Sequence, residues 1–204
     1  MATLKLGVLV SGRGSNLQSI LDAVQAGTLD AEVRIVISNR PGAQALDRAA
    51  AAGAKTCVVS HRDFASREAF DAALAAKLKS EQVEWVVLAG FMRVLTGVFI
   101  REMQGKIINI HPALLPSFPG IHAQKQAIDY GVKVSGCTVH LIDEGVDTGP
   151  ILAQRAVPIL DDDDEDSLSA RILEQEHALM VEVLRGLADG SLQPPRRERR
   201  AAQG

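Results

Sequence analysis

No apolar run in the chain approaches the ~20 residues that a membrane-spanning helix needs. That absence argues against a membrane partner. The opening segment, MATLKLGVLVSG, lacks a charged region ahead of its apolar residues and runs straight into a glycine-rich turn. It therefore reads as a first core strand and not as a secretion signal. Cysteine is scarce: Cys57 and Cys137 offer neither zinc-ligand spacing nor a disulfide framework. A reducing, cytoplasmic setting is the matching expectation. Excess positive charge is missing too. Lys and Arg number 22 against 25 Asp and Glu, giving a net charge of -3 and a pI near 6.0, which argues against a general nucleic-acid binder. No internal repeat and no linker interrupts the chain. What is present is 204 residues, 47% apolar, with a mean hydropathy of +0.08. That is enough for one domain with a substantial core. The domain is expected to span residues 1–190, with 191–204 as a short, basic, disordered tail.

The stretch Lys106 to Ala123, KIINIHPALLPSFPGIHA, organises the rest. Ile107 and Ile108 open a buried strand. Asn109 and His111 follow two positions apart, and residues i and i+2 of a strand share a face. Pro112 ends the ladder because it has no N–H to donate, and Pro116, Pro119 and Gly120 make a stiff loop. An imidazole that moves a proton beside an amide that holds an oxyanion would form a catalytic station. A turn-closing Asn and a core-satisfied His explain the same spacing equally well.

Leu4 to Val10 reads as a strand that empties into Ser11-Gly12-Arg13-Gly14-Ser15-Asn16, followed by a helix carrying Leu17, Ile20, Leu21 and Val24. Strand, glycine-rich turn and helix aim free N–H groups at an anion, here a phosphate or phosphate ester. Ser15 or Asn16 is suited to cap that helix, to donate to the phosphate, or to do both. A dinucleotide fingerprint is excluded because its third glycine would fall on Leu17, and no Gly-Lys-Ser/Thr is present for a Walker loop. A structural strand-to-helix turn is the plainer alternative.

Further strands are expected at 32–38, 55–59, 83–89, 133–142 and 151–157, with helices at about 43–52, 66–80, 122–130 and 167–187. Arg67 falls in the first turn of the third helix, where a cation opposes the helix dipole. A solvated arginine is its plainer reading. Gly90 to Leu95 is too apolar for an exposed loop and reads either as a core-filling helical turn or as one wall of a flat ligand's pocket. The alternation of strands and helices implies an α/β fold with an open parallel sheet and right-handed crossovers. Ligands of such sheets bind beyond the carboxyl ends of strands, where Gly12–Asn16, Gly90–Leu95 and Asn109/His111 all fall. The loop 143–150 is long for a hairpin. It carries Asp147, expected to pair with His111 and to favour its imidazolium or fix its tautomer. Asp161 to Asp164 reads as a solvated helix-capping turn and not as a metal site. The last helix carries a broad apolar stripe, which Glu176 and His177 interrupt; a solvent-facing Glu176 is the plain reading.

SGRGSN (11–16), VVLAGFMRVL (86–95), NIHPALLP (109–116), DEGVDTGP (143–150) and QEH (175–177), in this order, resemble the folate-dependent formyltransferases. Within them the chain is most similar to the branch acting on glycinamide ribonucleotide in purine synthesis. The resemblance runs to about Gly190. It implies a single-domain, open, twisted, mostly parallel sheet with helices on both faces, a Rossmann-like formyltransferase fold. It also implies a cytoplasmic one-carbon transferase, monomer or homodimer, that takes 10-formyltetrahydrofolate as co-substrate and needs no metal. Asn109, His111 and Asp147 match the family's catalytic trio. Gly14, Ser15, Asn16 and Glu176 match its ribonucleotide contacts. Arg67, Met92, Arg93, Val94 and Leu95, with Asp143, Glu144, Gly145 and Val146, match its folate contacts. The chain departs from the family at Ser117 and Phe118, where basic or aromatic residues are common, and at Leu173, where a polar residue can occur. The implied chemistry is direct attack of the amine on the formyl carbon through a tetrahedral oxyanion. Formyltetrahydrofolate hydrolase and methionyl-tRNA formyltransferase share related motifs. The first usually carries an N-terminal regulatory domain and the second a C-terminal tRNA-binding domain, neither of which is expected here. A non-catalytic nucleotide-phosphate-binding module is the third alternative; it leaves Asn109, His111 and Asp147 without a role.

Overall fold

Side-chain alternation along the strands divides the core into two layers, one on each face of a sheet. The computed structural model describes residues 3–195; the basic stretch 196–204, part of the expected tail, lies outside the described residues. In β1 (Leu4–Val10), Leu6, Val8 and Val10 turn to one face and Leu9 to the other. β2 (Ala31–Ser38), β3 (Thr56–Val58) and β4 (Trp85–Leu88) continue the pattern, followed by β5 (Ile107–His111), β6 (Val134–Leu141) and β7 (Ile151–Pro158). The sheet order is β3-β2-β1-β4-β5-β6-β7. The first five strands pair in parallel, and β6 pairs antiparallel with both β5 and β7. β2 and β3 wind off one side of β1, and the chain then returns to place β4 on the other side. The crevice between β1 and β4 is the switch point at which such sheets bind ligands.

α1 (Ser15–Gln25), α2 (Gln44–Ala51) and the long α6 (Glu165–Asp189) cover the face shown by Leu6, Val8 and Val10, and α5 (Ala123–Tyr130) lies beside α6. On the opposite face, α3 (Arg67–Ser80) and α4 (Gly97–Glu102) press Phe70, Leu74, Leu78, Phe99 and Ile100 against Leu9, Ile35, Ile37, Val86 and Leu88. That second cover reaches β5 at Ile107. Asn109 and His111, farther along the same face of β5, are roofed by the loops 112–122 and 142–150 instead. This uncovered strip is where the candidate site lies.

Most expected elements are present, with ends displaced by one or two residues. α4 and a short 3-10 turn at His61–Asp63 were not expected. α4 is six residues long and opens on Gly97, too brief for apolar periodicity to register. Gly90–Leu95 is irregular and not a helical turn. Asp164 caps α6, its carboxylate accepting from Ser167 N–H at 2.8 Å while Ser167 Oγ accepts from Asp164 N–H at 3.0 Å. The acidic run is thus a capping turn, and the helix begins two residues earlier than expected. Leu192, in the expected tail, donates its N–H to Gly186 O at 2.9 Å and packs on the core. Burial pushes the Cys137 thiol up to about 12, which leaves it unreactive at neutral pH.

α6 holds its face of the sheet largely through burial of its apolar stripe, and Leu184 is fully buried in it. Truncation to alanine removes transfer free energy and leaves a cavity, so Leu184→Ala should cost about 2–5 kcal/mol. Urea denaturation should show a lower midpoint with an unchanged slope; an unmoved midpoint would mean that the stripe is not what holds the helix.

Candidate active site

β5 delivers the Asn109 side chain and, two residues on, His111, which is only 4% exposed. Across the antiparallel pairing Asn109 sits opposite His140 and His111 opposite Thr138. Thr138 fixes the proline loop: its hydroxyl donates to Ala113 O at 2.6 Å and accepts Leu115 N–H at 3.0 Å. Gln154 of β7 supports both groups, donating to Leu115 O and to Thr138 Oγ1. The loop so held turns the Phe118 carbonyl onto His111, whose Nε2–H donates to it at 2.8 Å. The contact uses the main-chain carbonyl of Phe118, so the identity of that side chain does not enter it.

Asp147 lies 3.4 Å from His111 Nδ1 through Oδ2, and the same oxygen accepts Gly120 N–H at 2.8 Å. The expected pairing is thus present in the geometry. At 3.4 Å the contact with Nδ1 is looser than a formed hydrogen bond. Asp147 Oδ1 is also 3.6 Å from His140 Nε2. That contact is no ion pair. Burial lowers the His140 pKa, and although nearby Asp147 opposes the shift, the ring stays neutral. Its Nδ1–H donates to Leu141 O at 3.0 Å, and its Nε2 accepts from Asn109 Nδ2 at 3.2 Å. His140 therefore orients the Asn109 amide and leaves that amide's second N–H free. Sequence reasoning passed over His140. Its signal was the polar pair Thr138 and His140, two apart in an otherwise apolar strand.

At the end of β1 the chain turns through Gly14 with φ 74°. A Cβ there would come within 2.5 Å of Ala45 Cβ, so both conformation and close approach require glycine. Gly14 is the N-cap of α1, and Ser15 and Asn16 are its first helical residues with no side-chain cap. The reading of Ser15 or Asn16 as the helix cap is corrected: a glycine in the left-handed region occupies the cap, leaving the first N–H groups of α1 without intrahelical partners. Asn16 turns inward, 8% exposed, and donates from Nδ2 to Glu176 Oε2 at 2.9 Å, while its Oδ1 is buried without a partner. Glu176 is 7% exposed, against the plain reading of a solvated residue. Burial raises its pKa, partly offset by the Asn16 hydrogen bond. His177, beside it, is lowered by burial.

The third segment, 90–95, divides between core and surface. Phe91 and Leu95 are buried, whereas Met92 and Val94 are more than half exposed. Leu95 is therefore chiefly a core residue. Arg93 lies over the Phe70 ring, 5.4 Å from its centroid, and Arg67 donates to Val94 O at 2.8 Å. Arg67, Val94, Leu95 and Arg101 line a shallow cleft of about 460 Å³ together with Glu144, which lies 3.9 Å from Arg101. Asp143 accepts Gly145 N–H and the Thr148 hydroxyl, tying the acidic loop into a turn, and Val146 is half exposed. Gly149 closes that loop, where a Cβ would lie 1.8 Å from Leu141 O. A second cleft, about 340 Å³, opens at the opposite end of the sheet beside Trp85, Lys106 and Ile142. Among the described residues no group of three or more His, Cys, Asp or Glu is placed to hold a metal, and no helix is long and apolar enough to cross a membrane.

The buried Glu176 carboxyl links stability to pH. Its folded pKa is raised above the ordinary 4.5, so the folded state binds more protons and stability falls as pH rises from about 4.5 through the folded value. Glu176→Gln removes that dependence. Its urea midpoint should gain on the parent's as pH rises through this window and then hold a constant lead; parallel curves would contradict the raised pKa.

Residues 4–184 match the family model described as formyl transferase. The chain is 54% identical over 92% of its length to the trifunctional purine biosynthetic protein adenosine-3 of Drosophila melanogaster, spanning 14% of that longer protein. It is 41% identical to the phosphoribosylglycinamide formyltransferase of Escherichia coli, covering 93% of this chain and 89% of that one. Its backbone superposes on glycinamide ribonucleotide transformylase 1 from Symbiobacterium toebii with a TM-score of 0.93 at 46% identity, covering 95% of this chain and 92% of that one. By sequence and by fold, the chain belongs to the formyl transferase family.

Proposed function

We propose that the protein transfers the formyl group of 10-formyltetrahydrofolate to the primary amine of glycinamide ribonucleotide, in the cytoplasm, as a step of purine synthesis. The observation that carries this reading is the meeting of Asn109, His111 and Asp147 on the helix-free strip of the sheet, between an anion-ready helix start and an apolar wall. Likeness to chains bearing that enzyme name over nearly their full length supports it. The free N–H groups at Gly14–Asn16 suit a phosphate dianion. The buried Asn16–Glu176 pair lies beneath them and offers acceptors to the ribonucleotide. Met92 and Val94 present apolar surface to a flat pterin, with the acidic loop 143–146 at its hydrogen-bonding edge.

Attack by the amine on the formyl carbon forms a carbon–nitrogen bond and moves the carbonyl electron pair onto oxygen. The second N–H of Asn109 and a proton on His111 Nδ1 are the donors for that oxyanion, each worth about 10²–10³ in rate. Asp147 stabilises the imidazolium while Phe118 O holds its other nitrogen. Collapse of the intermediate breaks the bond to the folate nitrogen, which takes up the proton released by the amine. No residue forms a covalent intermediate, and no step calls for a metal.

Formyl transfer measured with glycinamide ribonucleotide, water and methionyl-tRNA as competing acceptors tests the assignment. The ribonucleotide should be formylated to near exclusion of the others; dominant release of formate, or formylation of the tRNA, would replace it with one of the sister activities. Asp147→Asn keeps size but removes charge, and should lower kcat by about 10²–10⁴-fold with the fold intact. Turnover near the parent's across neutral pH would remove Asp147 from the chemistry.

A further inference from the structure

The main chain from Gly90 to Leu95 and the Thr96 amide that follows it join neither the sheet ladder nor the interior of a helix, and main-chain groups withdrawn from water need partners. Three side chains from other elements supply them. Ser11, at the end of β1, accepts Met92 N–H on its hydroxyl at 2.9 Å and donates that hydroxyl to Asn39 Oδ1 at 2.7 Å. Arg67 donates to Val94 O at 2.8 Å. Asp71, on α3, accepts Thr96 N–H at 2.6 Å. Ser11 is 4% exposed and Asp71 2%, so both act through the segment they hold. The Ser11–Met92 bond also spans the crevice between β1 and β4, the switch point of the sheet.

We propose that Ser11 and Asp71 are positioning residues for the formyl donor: they pin the Met92 and Thr96 amides and so fix the wall that Met92 and Val94 present. The inference rests on the reading of that wall as the folate side. It separates Ser11 from its neighbours in sequence. Ser11 opens the same glycine-rich stretch as Gly14, Ser15 and Asn16, yet its hydroxyl is committed to the other substrate's wall. Arg67 takes a related part through the Val94 carbonyl.

Ser11→Ala and Asp71→Leu each delete one anchor, whereas Ser11→Thr and Asp71→Asn keep an acceptor oxygen in place. Either deletion should raise the KM for 10-formyltetrahydrofolate about tenfold, the effect of about 1.4 kcal/mol, while moving the KM for glycinamide ribonucleotide by roughly twofold or less. The conservative variants should restore the folate KM. Hydrogen exchange gives a readout independent of catalysis: the Met92 and Thr96 amides should be protected in the unmodified protein, and Met92 should lose protection in Ser11→Ala. An active parent whose Ser11→Ala variant loses ribonucleotide affinity, or both affinities equally, would overturn the proposal. So would rapid exchange of Met92 in the unmodified protein, a result open to measurement even if the deletions fail to fold. A parent that does not formylate the ribonucleotide would instead overturn the functional reading, and exchange would still decide whether the anchors hold the segment.

Discussion

The carboxylate of Asp147 sits within 3.6 Å of two imidazoles, and the arrangement of the site depends on what keeps it there. A nearly buried carboxylate is costly without hydrogen-bond partners; Gly120 N–H supplies one, and His111 Nδ1 stands 3.4 Å away. Asp147 also holds φ 55°, a conformation that non-glycine residues rarely adopt. Such a residue persists when its surroundings over-determine it. Here Asp143 ties the loop on one side and the close packing of Gly149 on Leu141 O fixes the other. His140 completes the balance by staying neutral. Were it cationic, its Nε2 would carry a proton and Asn109 would lose its acceptor.

Under the proposed function, two features of the fold would make this local arrangement a site for two substrates. α3 and α4 stop short on the sheet, so the strip carrying Asn109, His111, Thr138 and His140 is roofed by loops whose main chain can be committed to those side chains. The strand order then brings the start of α1 and the segment after β4 to either side of one crevice. The anionic end of one substrate and the flat end of the other can thereby approach the same imidazole without sharing contacts.

Much of this was legible in the sequence, for identifiable reasons. Short β-branched runs gave the strands, because parallel strands buried on both faces leave no other pattern. The i, i+2 spacing placed Asn109 and His111 on one face, and the length of loop 143–150 drew attention to Asp147. Long-range pairing was not legible. Asn16 and Glu176 are 160 residues apart, and a glutamate on a helix looks solvated until its partner is known. His140 sits in a strand whose polar alternate positions fit an exposed face equally well. Leu95 and Arg67 were read as ligand contacts from family likeness; the structure adds that Leu95 is mostly buried and that Arg67 donates to Val94 O, with both still lining the cleft. The tail beyond Pro195 lies outside the described residues.

The central claim is that the end of β5 presents Asn109 and His111 as one unit acting on a single oxyanion. Asn109→Ala, His111→Ala and the double variant form a double-mutant cycle on kcat. Groups that act together are strongly non-additive. The account predicts that the double variant loses little more than the worse single variant. Fully multiplicative losses would mean that the two side chains serve separate steps, and would contradict it.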